Sequence, residues 1–306
     1  RTLQALVEVH RHQSLESISE EQLAALGKVY EITRLRADAG ATQRSDPVQA
    51  RARLEAARAQ RLALEMQRRQ WLRRLQTYLG PRGLNRVAAA PDAMVRLDPE
   101  TLAIEEPDSL PSVRVAAADW ARAVAELKHA RAQGYPTLSL EVNMNQRLGA
   151  AGARYREIYG KDTYGSAYLS LDAPLYQGGE ISARRRAGAA AVEAALAERE
   201  VALLDAAERI ETQRQQVDGL YAKLDLLASR VDDVARTRSL YWDQYLALGT
   251  RTALDLLNVE QELTLARQDL TNTRHDLWNA LAMLLVATGQ ARDQFAIADP
   301  VAVLSR

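Results

Sequence analysis

Two short stretches of strict alternation sit in a chain that otherwise reads as long helix, and they constrain the fold more than any other feature. In the first, Leu138, Leu140, Val142 and Met144 take one face, with Thr137, Ser139, Glu141, Asn143 and Asn145 on the other. In the second, Ala167, Leu169, Leu171 and Ala173 alternate with Ser166, Tyr168, Ser170 and Asp172. Side chains of a strand point to opposite faces in turn, so each stretch predicts one apolar and one polar face. A lone two-stranded hairpin is marginal in water. The pair therefore needs a larger sheet, and where it finds one decides what the chain does.

The helices carry a different period. Residues 1–38 and 47–79 read as two helices meeting at a tip near Gly40, with Ser45-Asp46-Pro47 as the helix start and Gly80 as the stop. A very long helix is predicted from about Ile181 to Leu248, on the order of 100 Å at ~1.5 Å per residue. Along it Leu203, Ile210, Val217, Leu224 and Val231 recur every seven residues, with Leu220, Leu227, Val234 and Tyr241 between. After Gly249 the return helix repeats the pattern in Leu256, Leu263, Leu270, Leu277 and Leu284, with Val259, Ala266 and Ala280 at the alternate positions. Sustained heptads on two helices joined by a short turn predict an antiparallel coiled coil, and a generic structural coiled coil fits that pattern equally well.

The domain plan follows. Residues 1–80 form a first helical hairpin, 81–111 an irregular connector, and 112–135 a helix leading to the strands. Residues 136–179 hold the strand pair, with 147–165 as an exposed loop rich in Gly and Tyr. Residues 180–289 form a second, longer hairpin with its tip near Gly249, and 290–306 form a tail. The two hairpins align at an offset of 209, which matches Gly40 with Gly249, Asp46 with Asp255, Leu54 with Leu263, Arg58 with Arg267, Leu75 with Leu284, and Gly80 with Gly289. A whole hairpin in register indicates duplication. The strands preceding the second copy have first-copy equivalents that would lie before Arg1. The expectation is a longer native protein with a second strand pair and a targeting sequence upstream; a first copy that never had strands is the alternative.

Composition excludes several classes. Forty basic residues balance forty acidic ones, which gives no overall pull toward nucleic acid. Eight arginines between Arg51 and Arg74 are interrupted by Glu55 and Glu65 and lack an aromatic series for base stacking; they read as a solvated or interprotomer face. There is no Cys, so thiol catalysis and Cys-ligated metal are excluded. His10, His12, His129 and His275 show no metal-ligand spacing, and neither a catalytic triad nor a phosphate loop stands out, so no metal, cofactor or enzyme activity is expected. No apolar run approaches the roughly 18 residues of a membrane-crossing helix, which leaves the much weaker β-barrel signal untouched.

Three segments together resemble the TolC family of outer-membrane efflux and secretion channels. They are the Ala-rich helix running into Gly134-Tyr-Pro-Thr-Leu-Ser-Leu140, then Ser170-Leu-Asp-Ala-Pro-Leu-Tyr-Gln-Gly-Gly179, and Leu248-Gly-Thr-Arg-Thr-Ala-Leu-Asp-Leu-Leu-Asn258. The resemblance covers nearly the whole chain. It implies a mainly α fold with a small β part: long antiparallel coiled-coil hairpins forming an α-barrel tunnel, plus strands contributing to a trimeric transmembrane β-barrel. It also implies an outer-membrane location in a Gram-negative bacterium, with a periplasmic helical extension. The partners implied are a homotrimer, a periplasmic adaptor (membrane fusion) protein, an inner-membrane pump of ABC or RND type, and outer-membrane lipid. The implied function is the passive exit duct of a tripartite export system, in type I secretion or multidrug efflux. A soluble coiled-coil scaffold without a transport role is the alternative.

By the same resemblance, Leu138, Leu140, Val142, Met144, Ala167, Leu169 and Leu171 would face lipid, while Glu141, Asn143, Ser170 and Asp172 would face a wet lumen. Asp46 and Arg251 would form a latch between the hairpins, and Asp255 an acidic ring at the periplasmic mouth able to set cation preference. Asp46 and Asp255 equally suit a simpler role, stabilising helix starts. The adaptor would dock at Gly40, Ala41, Thr42, Gly249, Thr250 and Arg251, although both glycines also serve just to make a turn. The chain departs from the family pattern at two points: Asn258 stands where a second acid is expected, and Leu246, beside Tyr245, where an aromatic is expected.

Overall fold

The computed structural model describes residues 1–80, 107–146, 149–161 and 163–295. The chain divides into two compact units, one of residues 1–106 and 207–306, the other of residues 107–206. The element order is α1 (Thr2–Asp38), α2 (Ser45–Leu79), a single 3-10 turn (Pro107–Ser109), α3 (Pro111–Ala132), β1 (Thr137–Gln146), α4 (Gly149–Tyr159), β2 (Thr163–Asp172), α5 (Glu180–Asp243), a π turn (Gln244–Leu248), α6 (Ala253–Ala287) and a closing turn of helix, α7 (Ala291–Gln294).

The first unit holds α1, α2, the later part of α5, and α6. Helix α1 packs along both α2 and α6. Against α2 the contact is apolar, with Ala5 and Val9 meeting Leu75, and is fixed further along by Arg68, whose Nε lies 2.9 Å from both oxygens of Glu16. Helix α6 is the most buried element because it has neighbours on two sides. Its heptad residues Leu256, Leu263, Leu277 and Leu284 are buried, as are Val259, Ala266 and Ala280. That face is wider than a two-stranded seam requires, as expected for a helix in a packed layer. On the α5 side, Val231 and Val234 meet Val259 and Leu263. The buried Glu260 accepts from Arg238 Nε at 2.6 Å and Trp242 Nε1 at 2.8 Å, so its charge is both paired and hydrogen-bonded. Helices α2 and α6 are each 35 residues long, and both end at a glycine of positive φ, Gly80 at 81° and Gly289 at 76° close after the last helical residue. The start of α2 differs from expectation: the N-cap is Arg44, in α conformation and without a side-chain cap bond, because Ser45 and Asp46 already lie inside the helix.

In the second unit α3 lies against the first part of α5. Gly188 permits the approach, since a methyl group there would sit 3.2 Å from Leu127 Cδ1 and 3.5 Å from its Cα. Arg184 Nη1 donates to Gln133 Oε1 at 2.9 Å and Arg185 Nη2 to the Arg131 carbonyl at 3.1 Å, satisfying the end of α3. Strands β1 and β2 pair antiparallel in the register Leu138↔Leu171, Leu140↔Leu169 and Val142↔Ala167, so the two apolar sets share one face. Glu141↔Tyr168, Asn143↔Ser166 and Ser139↔Ser170 share the other.

Two expectations need correction here. Among the described residues the strands do not build a barrel: the sheet has two strands, in the order β1-β2, and is open on both edges. Two ten-residue strands have neither the number nor the stagger to close. The architecture is mainly helical with a small open sheet, and no helix among the described residues is long and apolar enough to cross a membrane. Second, the segment between the strands contains α4, not a continuous loop. Its run of Ala, Arg and Glu outweighs its two glycines in helix propensity, and Gly160, at φ 74°, ends it. Of the expected connector at 81–111, residues 81–106 lie outside the described residues, and of the expected tail at 290–306, those from 296 on do.

Candidate functional site

The two hairpin tips meet in the first unit. Each turns at a glycine in the left-handed region, Gly40 at φ 70° and Gly249 at φ 64°, a conformation that other L-residues adopt only with strain. The approach to the second tip is unusual. Helix α5 widens into the π turn at Gln244–Leu248, and the Thr250 N–H closes it on the Gln244 carbonyl at 3.2 Å. Single π turns of this kind commonly mark functional positions. The extra residue turns Tyr245 inward, where it is buried, and leaves Leu246 half exposed. The aromatic that the sequence places one residue out of family register thus becomes the anchor of the tip. Around it lie Leu26, Val29, Ala50, Leu54 and Ala57 of the first hairpin and Ala253, Leu256 and Leu257 of the second.

Arg36, in the last turn of α1, joins the tips. Its Nη1 donates to the Tyr245 carbonyl at 3.2 Å, and its guanidinium lies over the Tyr245 ring, 4.4 Å from the centroid. One guanidinium therefore donates to the backbone carbonyl of Tyr245 and stacks on the ring of the same residue. Positions 36 and 245 are exactly equivalent under the offset of 209, so the contact joins corresponding points of the two repeats. Sequence reading missed Arg36; the offset itself was the signal that could have found it.

The residues singled out from sequence are distributed as follows. Asp255 forms a capping box: Thr252 Oγ1 accepts from the Asp255 N–H at 3.2 Å, and Asp255 Oδ2 accepts from the Thr252 N–H and hydroxyl, both at 2.9 Å. The bond from the Thr252 backbone, then that from its hydroxyl, hold the Asp255 carboxyl below the usual carboxylate range, with a smaller contribution from Arg251. Asp46 accepts a short hydrogen bond from the Thr42 hydroxyl, and its own N–H donates to the Gln43 carbonyl at 3.1 Å. Arg251 turns back on its own hairpin, with Nε on Gln244 Oε1 at 3.0 Å and its guanidinium 4.1 Å from the centre of the Tyr241 ring. No ion pair joins Arg251 to Asp46 among the described residues; the tips are joined by the shared apolar cluster and by the contact of Arg36 with Tyr245, and Arg53 bonds to Gln261 just beyond them. Asp46, Arg251, Gly40, Ala41, Thr42 and Gly249 nonetheless line one shallow depression of about 780 Å³.

On the strand pair, Leu138, Leu140, Val142, Met144, Leu169 and Leu171 are each about two-thirds exposed or more, with Leu175 and Tyr176 beyond them almost fully so. Such a contiguous apolar face marks a surface that meets something other than water. Among the described residues no cluster of three metal-ligating side chains exists.

Comparison with known proteins adds the context. The family model described as outer membrane efflux protein matches residues 108–290. The alkaline protease secretion protein AprF of Pseudomonas aeruginosa is 29% identical over 188 residues, covering 61% of this chain and 38% of that protein. Nodulation protein T of Rhizobium leguminosarum bv. trifolii is 22% identical over 297 residues, covering 94% of this chain and 62% of that one. The chain therefore spans less than two-thirds of the length of these curated relatives. Among solved structures, the outer membrane protein VceC of Vibrio cholerae superposes with a TM-score of 0.77 at 18% identity, covering 94% of this chain and 68% of that one. At that identity the likeness establishes the fold.

Proposed function

The chain belongs to the outer membrane efflux protein family, and from that premise we propose that it is a subunit of the outer-membrane channel of a tripartite export system. In this reading it is a passive duct, without covalent chemistry, that hands cargo from the periplasmic side to the exterior. It acts as a homotrimer with a periplasmic adaptor and an inner-membrane pump. The family match displaces the soluble-scaffold alternative. Protein secretion is favoured over drug efflux by one observation: the relative that is 29% identical over 188 residues is itself named for alkaline protease secretion.

The observation that carries the reading is the pairing of two features, an exposed apolar strand face in one unit and two joined helical tips in the other. In the proposal, Leu138, Leu140, Val142, Met144, Ala167, Leu169 and Leu171 meet lipid, the one environment in which so exposed an apolar face is favourable. The tips are the gate. Asp46 and Arg251, each held within its own hairpin, are free to re-pair between hairpins or protomers, and Asp255 presents its carboxylate at the mouth while capping α6. The adaptor docks on Gly40, Ala41, Thr42, Gly249, Thr250 and Arg251.

Cell fractionation after expression from the whole gene tests the proposal. The protein is expected in the outer-membrane fraction, released only by detergent, as a heat-sensitive trimer. A detergent-independent soluble dimer would refute it.

A further inference from the structure

Far along α1 from the tips lies a histidine pair that the transport reading does not use. His10 Nδ1 is 2.8 Å from His275 Nε2, so one imidazole of the first hairpin bonds directly to one of the second. Trp278 closes the site edge-on to both rings, with centroids 5.5 Å from His10 and 4.6 Å from His275. His275 is buried and His10 half-buried.

The bonding pattern fixes both tautomers. His275 Nδ1 lies 2.6 Å from the Thr271 carbonyl, which can only accept, so that nitrogen carries the proton. In the neutral ring, His275 Nε2 then holds a lone pair and must accept. His10 Nδ1 is consequently the donor, and the remaining lone pair of the two rings falls on His10 Nε2. A first proton taken there leaves every bond intact, because a cationic His10 still donates to a neutral His275. A second proton, on His275 Nε2, places two N–H groups face to face and destroys the bond.

We propose that the His10–His275 pair is a proton-sensitive joint between the two hairpins, which tolerates one proton and parts when His275 takes the second. The surroundings set the threshold. On α1, Arg11 pairs with Glu8 at 3.3 Å and with Asp276 of α6 at 2.6 Å. On α6, Arg274 adds a second nearby cation, and Asn279 donates to Glu8 at 2.9 Å. On α2, Arg68 is paired with Glu16, Arg69 with Glu65, and Arg74 lies over the Trp71 ring, while Arg73 is an exposed further cation. On α5, continuing the pairing that sets Arg230 against Asp269 brings the level of His275 near Lys223, between Asp218 and Asp225. Glu8 and Asp276, the carboxylates held at the pair, are thus already committed to Arg11 and Asn279, and Arg11 and Arg274 oppose a further positive charge. One buried donor of the cluster, Arg11 Nε, has no hydrogen-bond partner among the described residues, so the acceptors there do not satisfy even the cation already present. Burial, with smaller contributions from His10, Arg11 and Arg274, pushes the His275 pKa down to about 4, and burial lowers that of His10 as well.

The sign is then determined. A histidine whose folded pKa is depressed contributes stability that is fully present above the unfolded value near 6.5 and is lost as pH falls toward the folded value. The joint is closed at neutral pH and opens in acid.

Two measurements on the full chain test this. In histidine nitrogen NMR of the wild-type protein, both His10 and His275 are expected as the Nδ1–H tautomer, with His275 titrating near pH 4. Either ring in the Nε2–H tautomer at neutral pH, or His275 titrating near 6.5, would overturn the proposal. In thermal melts between pH 7 and 4, wild type is expected to lose stability more steeply than His275→Gln, whatever the variant's own melting temperature. Parallel pH dependence in the two proteins would equally overturn it. Neither readout depends on transport, so failure of the channel reading would not be mistaken for failure of the joint.

Discussion

Replacing Arg36 with Ala isolates the contact that ties the tips. The substitution removes one charge-assisted hydrogen bond to the Tyr245 carbonyl, worth about 1.5–3 kcal/mol where the partner is left unsatisfied. It also removes a cation–π contact worth about 0.5–2 kcal/mol. Arg36 is only half-buried, so solvent screens part of both, and the carbonyl regains some hydration once the side chain is gone. A net loss of about 2 kcal/mol at the tip is the reasonable sum. That corresponds to a roughly thirty-fold rise in local opening. Native-state hydrogen exchange reads it directly: amides of Gln244–Gly249 should exchange roughly thirty-fold faster, while mid-helix amides of α6 around Leu277 stay unchanged. Arg36→Lys keeps the charge but not the planar stack, and should fall between the two. Exchange at the tip unchanged within about two-fold would show that Arg36 does not tie the tips, as would a rise of the same size throughout α6, which would mean global destabilisation instead of a local tie.

Thr252→Ala breaks the capping box of α6 and should cost about 1 kcal/mol in denaturant unfolding. Because the Asp255 pKa is lowered on folding, the stability its charge contributes is present above the ordinary carboxylate range and lost as pH falls through the folded value; the gap between wild type and Asp255→Ala should accordingly narrow below about pH 4. Leu284→Ala, at a fully buried heptad position, should cost about 2–5 kcal/mol in the same assay, whereas Leu254→Ala, half exposed at the tip, should change stability by less than about 0.5 kcal/mol.

The parts legible from sequence are those governed by a local period. Alternation at Leu138–Met144 and Ala167–Leu171 specified both strands and the face they share, and the observed register aligns the two apolar sets as that face requires. Heptads placed Leu256, Leu263, Leu277 and Leu284 on a buried stripe, although they could not say that α6 would be covered on two sides. Helix α4 escaped notice because it is short and holds two glycines, with a third directly after it, which reads as loop composition. The Arg36–Tyr245 and His10–His275 contacts join residues 209 and 265 apart, and spacing rules look for partners along a few turns of one element. Asp255 illustrates the opposite case. Its position beside a hairpin tip drew attention for charge, while the Thr-x-x-Asp spacing that made it a cap was equally present in the sequence. The closed barrel was an inference about an assembly, and two strands with open edges cannot express it within one chain.

Closure of the proposed channel at its helical tips is tested most directly by single-channel recording in planar bilayers, comparing protein expressed from the whole gene with variants Asp46→Ala and Arg251→Ala. A low, stable conductance is expected for wild type and a larger conductance or open fraction for both variants. Absence of any conductance from correctly folded protein, or identical traces from wild type and both variants, would contradict it.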